Sequence, residues 1–405
     1  MVAAVKVMHI TTVDLSLKFL VRPQLLSIVQ LGGEAVGVSA PGPWVADLRT
    51  DGIKHVALDA STRGAAPLKD LRAALQFLRI LRTERPDVLH THNPKPGLYG
   101  RILGRMTRVP IVVNTVHGLY ATPDDRFLKK ALVYALEAFA ARFSDAELVQ
   151  SSEDLALLNK WHIAPQGKAR LLGNGVDLQR FNPDRPDGQS RQALRAELGI
   201  ADGQIVVGIV GRLVEEKGFV ELFTAASCLD SQYQLVVVGP TDAAKGDALT
   251  PGVIATARAS GVRFLGMRTD VDELYRAMDI FVLPSHREGF PRAAMEAAAM
   301  GLPVVASDIR GCREVVEHGV NGLLFPVRDA VALEAAIRKL GEDGEARARM
   351  GEAGRRKAQT SFDEDQVVAI VVDTYRRLAH RKGLSRLAAQ LSGPGDTLPG
   401  DRPSA

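Results

Sequence analysis

Short β-branched apolar runs alternate with longer stretches of helical periodicity along most of the chain. Val5–Ile10, Ala35–Ser39, Asp87–His90, Ile111–Val116 and Glu147–Gln150 read as strands. Helical stretches such as Leu68–Arg85 and Arg126–Phe143 lie between them. After residue 190 the pattern restarts with Ile205–Val210, Gln234–Val238, Val262–Leu265, Ile280–Leu283, Pro303–Ser307 and Gly322–Phe325. Gly218–Leu229 and Pro291–Met300 are among the helices that fill the gaps. Strand–helix alternation of this kind demands parallel sheets covered by helices on both faces, an α/β class.

Between the two series, Gly173–Gly188 carries Gly-Asn-Gly, Asn182-Pro183, Arg185-Pro186 and Asp187-Gly188, all turn signals. At 405 residues the chain is about 2.7 times a usual domain. The pattern therefore predicts a Rossmann-like domain over 1–175, a linker over 176–190 and a second Rossmann-like domain over 191–362. A terminal helix over 363–383 should pack back on the first domain, and 384–405 should be a disordered tail, its end rich in Gly, Pro, Ser and Asp. Two doubly wound domains of this kind should face a central cleft with the carboxyl ends of their parallel sheets.

Composition sharpens this picture. Apolar residues make up 46% and charged residues 24%, a globular mix. Two cysteines, Cys228 and Cys312, exclude a disulfide framework and fit a reducing compartment. No run is long and apolar enough to span a bilayer and no secretory signal opens the chain, so a cytoplasmic protein is expected. Residues 1–185 hold 24 basic and 17 acidic side chains, a net +7, whereas 186–405 hold 27 and 30, a net −3. One half is thus suited to an anionic surface. Nucleic acid is disfavoured, with aromatics at 5% and no stacking platform.

Two segments carry candidate chemistry. Ser285–Glu296 follows a strand and opens a helix, with Pro291 at the helix start, so the backbone N–H groups of Gly289 and Phe290 offer an anion site. Glu288 lies in the loop and Glu296 about one and a half turns into the helix. Two carboxylates so spaced suit two hydroxyl-bearing parts of one ligand, or else a helix-start charge and a solvated face. In Val207–Gly218 a buried strand releases Gly211, Arg212 and Lys217 into a loop, two fixed cations suited to a diphosphate or simply a solvated basic loop. Neither a P-loop nor Gly-x-Gly-x-x-Gly is present.

Together the two segments resemble family 4 of the retaining glycosyltransferases, which have the two-domain GT-B fold. Gly301-x-Pro303-Val304-Val305-Ala306, Asn321-Gly322 and Asn174-Gly175-Val176-Asp177 extend the match. Within that family, His90-Thr91-His92-Asn93-Pro94-Lys95 and Asn114-Thr115-Val116-His117-Gly118 are most similar to the capsular and O-antigen sugar transferases. The resemblance implies that Arg212 and Lys217 bind the donor diphosphate. It further implies that Glu288, with the backbone of Gly289 and Phe290, binds the transferred sugar, and that Glu296 binds the ribose. His117 would reach the sugar from the other domain, and the base would lie near Gly266 and Met267. The implied catalytic set is His117, Arg212, Lys217 and Glu288. The implied donor-binding set is Gly211, Arg212, Lys217, Met267, Glu288, Gly289, Phe290, Pro291 and Glu296.

The resemblance departs at the first loop, where Thr11–Ser16 stands in place of a Gly-Gly turn. Asp270-Val271-Asp272 is similar to the metal-binding Asp-x-Asp of a different transferase fold, but helix capping is the better reading. His90 and His92 share one strand face. They read as structural rather than as a metal pair, and neither metal nor cofactor is expected. Lys69, Arg72, Gln76 and Arg79 form a polar stripe beside a Leu71/Leu75/Leu78 core stripe. Lys18–Arg22 and Arg101/Arg105/Arg108 add basic clusters that could meet an anionic leaflet. The expected function is metal-independent transfer of a hexosyl or N-acetylhexosaminyl group, with retention, from a nucleotide-diphosphate sugar to a lipid-linked or other saccharide in surface polysaccharide synthesis. Such an enzyme would sit in the cytoplasm, peripheral to the inner face of the membrane, with an anionic membrane surface as a candidate partner. A phosphorylase, a sugar-nucleotide epimerase or a non-catalytic sugar-nucleotide-binding protein are the alternatives.

Overall fold

The computed structural model describes residues 4–62, 64, 66–92, 94–121, 125–242 and 246–392. The chain divides into two compact units, Met1–Leu172 with Asp365–Ala405, and Gly173–Glu364. In the first unit seven strands form one parallel sheet in the order β3-β2-β1-β4-β5-β6-β7. They are β1 (Lys6–Val13), β2 (Glu34–Ala40), β3 (Lys54–Ala57), β4 (Val88–His92), β5 (Ile111–Val116), β6 (Ala146–Val149) and β7 (Ala169–Leu171). The central strands are apolar because both faces are covered: every residue of β4 and β5 is buried. Strands β3 and β7 escape the sequence pattern because they are short, half-exposed edges with too few apolar positions to register a period.

The second unit holds a six-stranded parallel sheet ordered β10-β9-β8-β11-β12-β13. Its strands are β8 (Ile205–Val210), β9 (Tyr233–Val238), β10 (Arg263–Gly266), β11 (Ile280–Leu283), β12 (Val304–Ser307) and β13 (Gly322–Phe325). Each sheet is doubly wound, with chain order reversing beside its first strand, β1 in one and β8 in the other. Apolar clusters line both faces of each sheet. At the turn before β13, buried Asn321 donates to Val315 O at 2.9 Å and accepts from Glu317 N at 2.7 Å, so this motif holds a turn.

Several expectations change. The segment 176–190 is folded into the second unit rather than free as a linker. Phe181 packs on Tyr275 with ring centroids 6.0 Å apart, and Arg180 and Arg185 both pair with Asp272. That pairing also replaces the expected capping: Asp270 precedes the helix Val271–Ala277 but makes no side-chain cap, its carboxylate being held by Arg268. The helix Glu364–Arg381 buries Val371, Tyr375, Leu378 and Ala379 against the first sheet. The chain then forms one more helix, Ser385–Gln390, instead of a tail from 384, because Leu387, Ala388 and Leu391 share an apolar face. Gln390 accepts from Val5 N at 2.9 Å and donates to Gly32 O at 2.8 Å. Asn93 and residues 393–405, also named above, lie outside the described residues.

The basic clusters change most. Arg22 makes a two-pronged pair with Asp51, Lys18 pairs with Asp47, and Val21 is buried, so Lys18–Arg22 presents no free charge. Arg101 is 1% exposed and bridges Glu147 and Glu137, while Arg105 binds Asp145, so these two brace the fold, whereas Arg108 is exposed. On helix Pro67–Glu84 the core stripe is Ala73, Phe77 and Leu81, whereas Leu68, Leu71 and Leu75 face outward beside Lys69, Arg72 and Arg79. The leucine repeat has helical spacing on either face, and only the position of the sheet selects between them.

Candidate active site

Strand order brings the two sequence segments together. β8 pairs with β11 on one side (Ile280↔Val207, Phe281↔Gly208) and with β9 on the other (Val210↔Val238). The loops at their carboxyl ends therefore lie side by side, at the switch point where such sheets bind ligands. His286 N donates to Glu216 O at 2.8 Å and Arg287 Nε to Glu216 Oε1 at 3.0 Å, tying the two loops. Gly218 has φ +73°, and a Cβ there would stand 1.9 Å from Pro284 O, so the approach of these loops requires glycine. Gly239, after β9, donates to Gly266 O at 2.8 Å, which adds the Gly266–Met267 loop to the same edge. Met267 stands 46% exposed.

Each candidate cation carries an acidic partner. Lys217 Nζ donates to Glu288 Oε1 at 2.5 Å, and Ser285 Oγ to the same oxygen at 2.7 Å. Arg212 Nη1 donates to Asp242 Oδ2 at 2.8 Å. The side chains of Lys217, Glu288 and Arg212 all keep some exposure, so the loops present a pre-shaped set of charges to solvent. Pro291 occupies the position just before helix Arg292–Ala299, and Asn174 Nδ2 donates to Phe290 O at 3.2 Å, fixing the turn between. A Cβ on Gly311 would lie 2.5 Å from Glu288 O, so the next helix start also presses on the Glu288–Gly289 backbone. Glu296 accepts from Tyr275 Oη at 3.1 Å and Arg292 Nε at 3.4 Å. Burial raises its carboxyl above the usual range, against the pull of Arg292 and Tyr275.

His117 belongs to the first unit and directly follows β5. The ring is half-buried, its Nε2 lies 2.9 Å from His92 Nδ1, and burial depresses it to about 4 against an opposing pull from the Gln150 side chain. His9 on β1 is the third buried histidine of this neighbourhood, beside His90 and His92.

The model of the glycosyl transferases group 1 matches residues 190–357, and that of the glycosyl transferase 4-like domain matches 27–175. A D-inositol 3-phosphate glycosyltransferase of Xylanimonas cellulosilytica is 32% identical over 314 residues, 73% of this chain and 73% of that protein. The chain belongs to the group 1 glycosyl transferases. A second relative of this glycosyltransferase is the UDP-Gal:alpha-D-GlcNAc-diphosphoundecaprenol alpha-1,3-galactosyltransferase of Escherichia coli, 29% identical over 309 residues, 75% of this chain and 78% of the relative. Its GT-B fold is shared with Anabaena HepE in complex with UDP-glucose, at a TM-score of 0.75 and 22% identity over 91% of this chain and 98% of that one.

Within this glycosyltransferase, Gly211, Arg212, Lys217, Glu288, Gly289, Phe290 and Pro291 share one edge of the second sheet. Asp242 and Tyr275 join the site without having been singled out in the sequence, and Ser285, named there only as the start of its segment, joins as a donor to Glu288. Asp242 lies outside any recognisable motif, and only the β8–β9 pairing reveals it. His9 had a faint signal, as a polar residue interrupting an otherwise apolar run.

Proposed function

We propose that this glycosyltransferase moves a hexosyl or N-acetylhexosaminyl group from a nucleotide-diphosphate sugar to a lipid-linked saccharide during surface polysaccharide synthesis, with retention at the anomeric carbon and without a metal or other cofactor. The observation that carries the reading is the meeting of Arg212, Lys217 and Glu288 on adjacent loops at the switch point of the second sheet. The name of the Escherichia coli relative supplies a UDP-sugar donor and an undecaprenyl-diphosphate acceptor, and HepE binds UDP-glucose. Membership in the family disfavours a phosphorylase, an epimerase or a non-catalytic binding protein.

In this scheme Arg212 and Lys217 neutralise the donor diphosphate, Gly211 lets the backbone approach it, and Glu288 with Gly289, Phe290 and Pro291 orients the sugar. Glu296 takes the ribose, Met267 borders the base, and His117 contacts the sugar. The bond from the anomeric carbon to the phosphate oxygen breaks with its electron pair on that oxygen. The acceptor oxygen bonds the same face of the carbon, and its proton passes to the departing phosphate. Each preorganised cation contributes on the order of 10²–10³ in rate. Arg212→Ala and Glu288→Ala should each lower turnover in a purified transfer assay by that order. Turnover near wild type in either variant overturns the assigned role.

For the acceptor, the first unit supplies a groove whose lining includes Asp59, Lys69, Arg72, Leu75, Gln76 and Arg79, on the helix that turns Leu68 and Leu71 outward. Helix Phe127–Ala140 exposes Phe127, Leu128, Leu132, Leu136 and Phe139 along one face, with Arg126, Lys129 and Lys130 next to it. An apolar stripe rimmed by cations suits an anionic leaflet, each basic residue adding about 1 kcal/mol. No helix among the described residues is long and apolar enough to cross a membrane, and we assign the enzyme to the inner face of the cell membrane as a peripheral protein.

A further inference from the structure

Four histidines and one tyrosine of the first unit form an unbroken hydrogen-bonded row. Thr115 Oγ1 lies 2.7 Å from His90 Nε2, and His90 Nδ1 lies 2.5 Å from Tyr375 Oη. That hydroxyl is 3.1 Å from His9 Nε2, and His9 Nδ1 is 2.9 Å from His92 Nε2. His92 Nδ1 is 2.9 Å from His117 Nε2, and the row ends at that ring. The register of the sheet produces the row: His9 stands opposite His90 across β1 and β4, and His92 opposite Thr115 across β4 and β5. Tyr375 closes it from the helix Glu364–Arg381.

A neutral imidazole has one N–H and one lone pair, and a phenol has one proton. His9, His90 and His92 each spend both nitrogens within the row, so their proton positions are not independent. Burial keeps the rings neutral, depressing His9 to about 3 and His90 and His92 well below their ordinary value. Two polarities then satisfy every atom. In one, Thr115 donates to His90 and all four rings carry the proton on Nδ1. In the other, His117 donates to His92 and all four carry it on Nε2. A mixed set either confronts two N–H groups or two lone pairs, or has the Tyr375 hydroxyl accept from both His90 and His9 and strands its own proton, so each leaves a buried polar atom unsatisfied.

The nitrogens of His9, His90 and His92 are close enough to consider a shared metal ion. A ligated metal must lie in the plane of each ring, however, and His90 stacks face to face on His92 at 4.3 Å and 28°. Every nitrogen of the three rings is already spent, on another ring of the row, on Thr115 or on Tyr375.

We propose that Tyr375, His9 and His92 are positioning residues for the transfer reaction: the row they form determines which nitrogen of His117 carries its proton, and so whether that ring donates a hydrogen bond to the sugar or accepts one. The inference rests on the reading above in which His117 contacts the sugar, the sugar hydroxyl meeting the ring at Nδ1, the nitrogen not bonded to His92.

The test combines ¹⁵N-histidine NMR of the full-length enzyme at pH 7.5, elemental metal analysis, and steady-state kinetics of the wild type, Tyr375→Phe and His117→Ala. Wild-type resonances from His9, His90, His92 and His117, assigned by single His→Gln variants, should all report one neutral tautomer. Tyr375→Phe should divide that set and lower kcat by about tenfold, the worth of one buried hydrogen bond, with donor KM changed less than about threefold. Mixed tautomers, a charged ring or one equivalent of bound metal in the wild type overturns the proposal, whether or not the variant folds. An inactive His117→Ala beside a Tyr375→Phe with unchanged kcat overturns the positioning role alone. Wild-type turnover in His117→Ala overturns both that role and the placement of His117 at the sugar.

Discussion

Glu296 shares its buried site with Arg292 and the Tyr275 hydroxyl, yet burial outweighs both and raises its carboxyl. The folded state therefore holds a proton more firmly than the unfolded chain does, so this group favours folding at low pH. Its contribution is lost as pH rises from about 4.5 through the raised value. Glu296→Gln should melt no lower than wild type at pH 8 and show a flatter pH dependence, while binding a nucleotide sugar about tenfold more weakly. Differential scanning fluorimetry with titration calorimetry checks both. Arg101 is the opposite case, a buried cation whose removal strands the buried carboxylate of Glu147. Arg101→Ala should cost about 3–5 kcal/mol in urea unfolding. At this scale the sequence made Lys217 and Glu288 visible as types at a spacing, but not as a 2.5 Å pair. Their separation along the chain carries no distance, and Asp242 had no motif to mark it.

Strands and helices set the next group of outcomes. β1, β4 and β5 carry His9, His90, His92 and Thr115. Because the folded rings stay neutral down to low pH while the unfolded chain titrates near 6.5, stability should fall as pH drops below about 6.5, by up to about 1.4 kcal/mol per pH unit for each ring. Urea midpoints at pH 7.5 and pH 5.0 measure this, and His92→Gln should lessen the difference. Helix Phe127–Ala140 makes a separate claim. Leu128→Glu with Leu132→Glu should leave the urea midpoint almost unchanged, since both side chains are exposed, and should abolish flotation with vesicles rich in anionic lipid. The periodic strands of both sheets were legible because burial on two faces writes continuous apolar runs. The face of helix Pro67–Glu84 was not, because Leu68, Leu71 and Leu75 mimic a core stripe that Phe77 and Leu81 actually form.

For the molecule as a whole, the two units differ in what they offer a ligand. The loops proposed to hold the donor all belong to Gly173–Glu364. A nucleotide sugar at 100 times its dissociation constant should stabilise the native state by about 2.7 kcal/mol, and Arg212→Ala should remove that gain in a calorimetric scan. The balance of −3 on residues 186–405 is no obstacle, because Arg212 and Lys217 act at the loops where they stand. The sequence by itself determined the α/β alternation, the two series of strands and the ordered motifs, since periodicity and turn chemistry are properties of neighbouring residues. Tertiary structure alone decided which carboxylate meets each cation, which helix face is buried, and that His9, His90, His92, His117 and Tyr375 form one row. Those contacts join residues far apart in the chain through strand order and register, which no local pattern encodes.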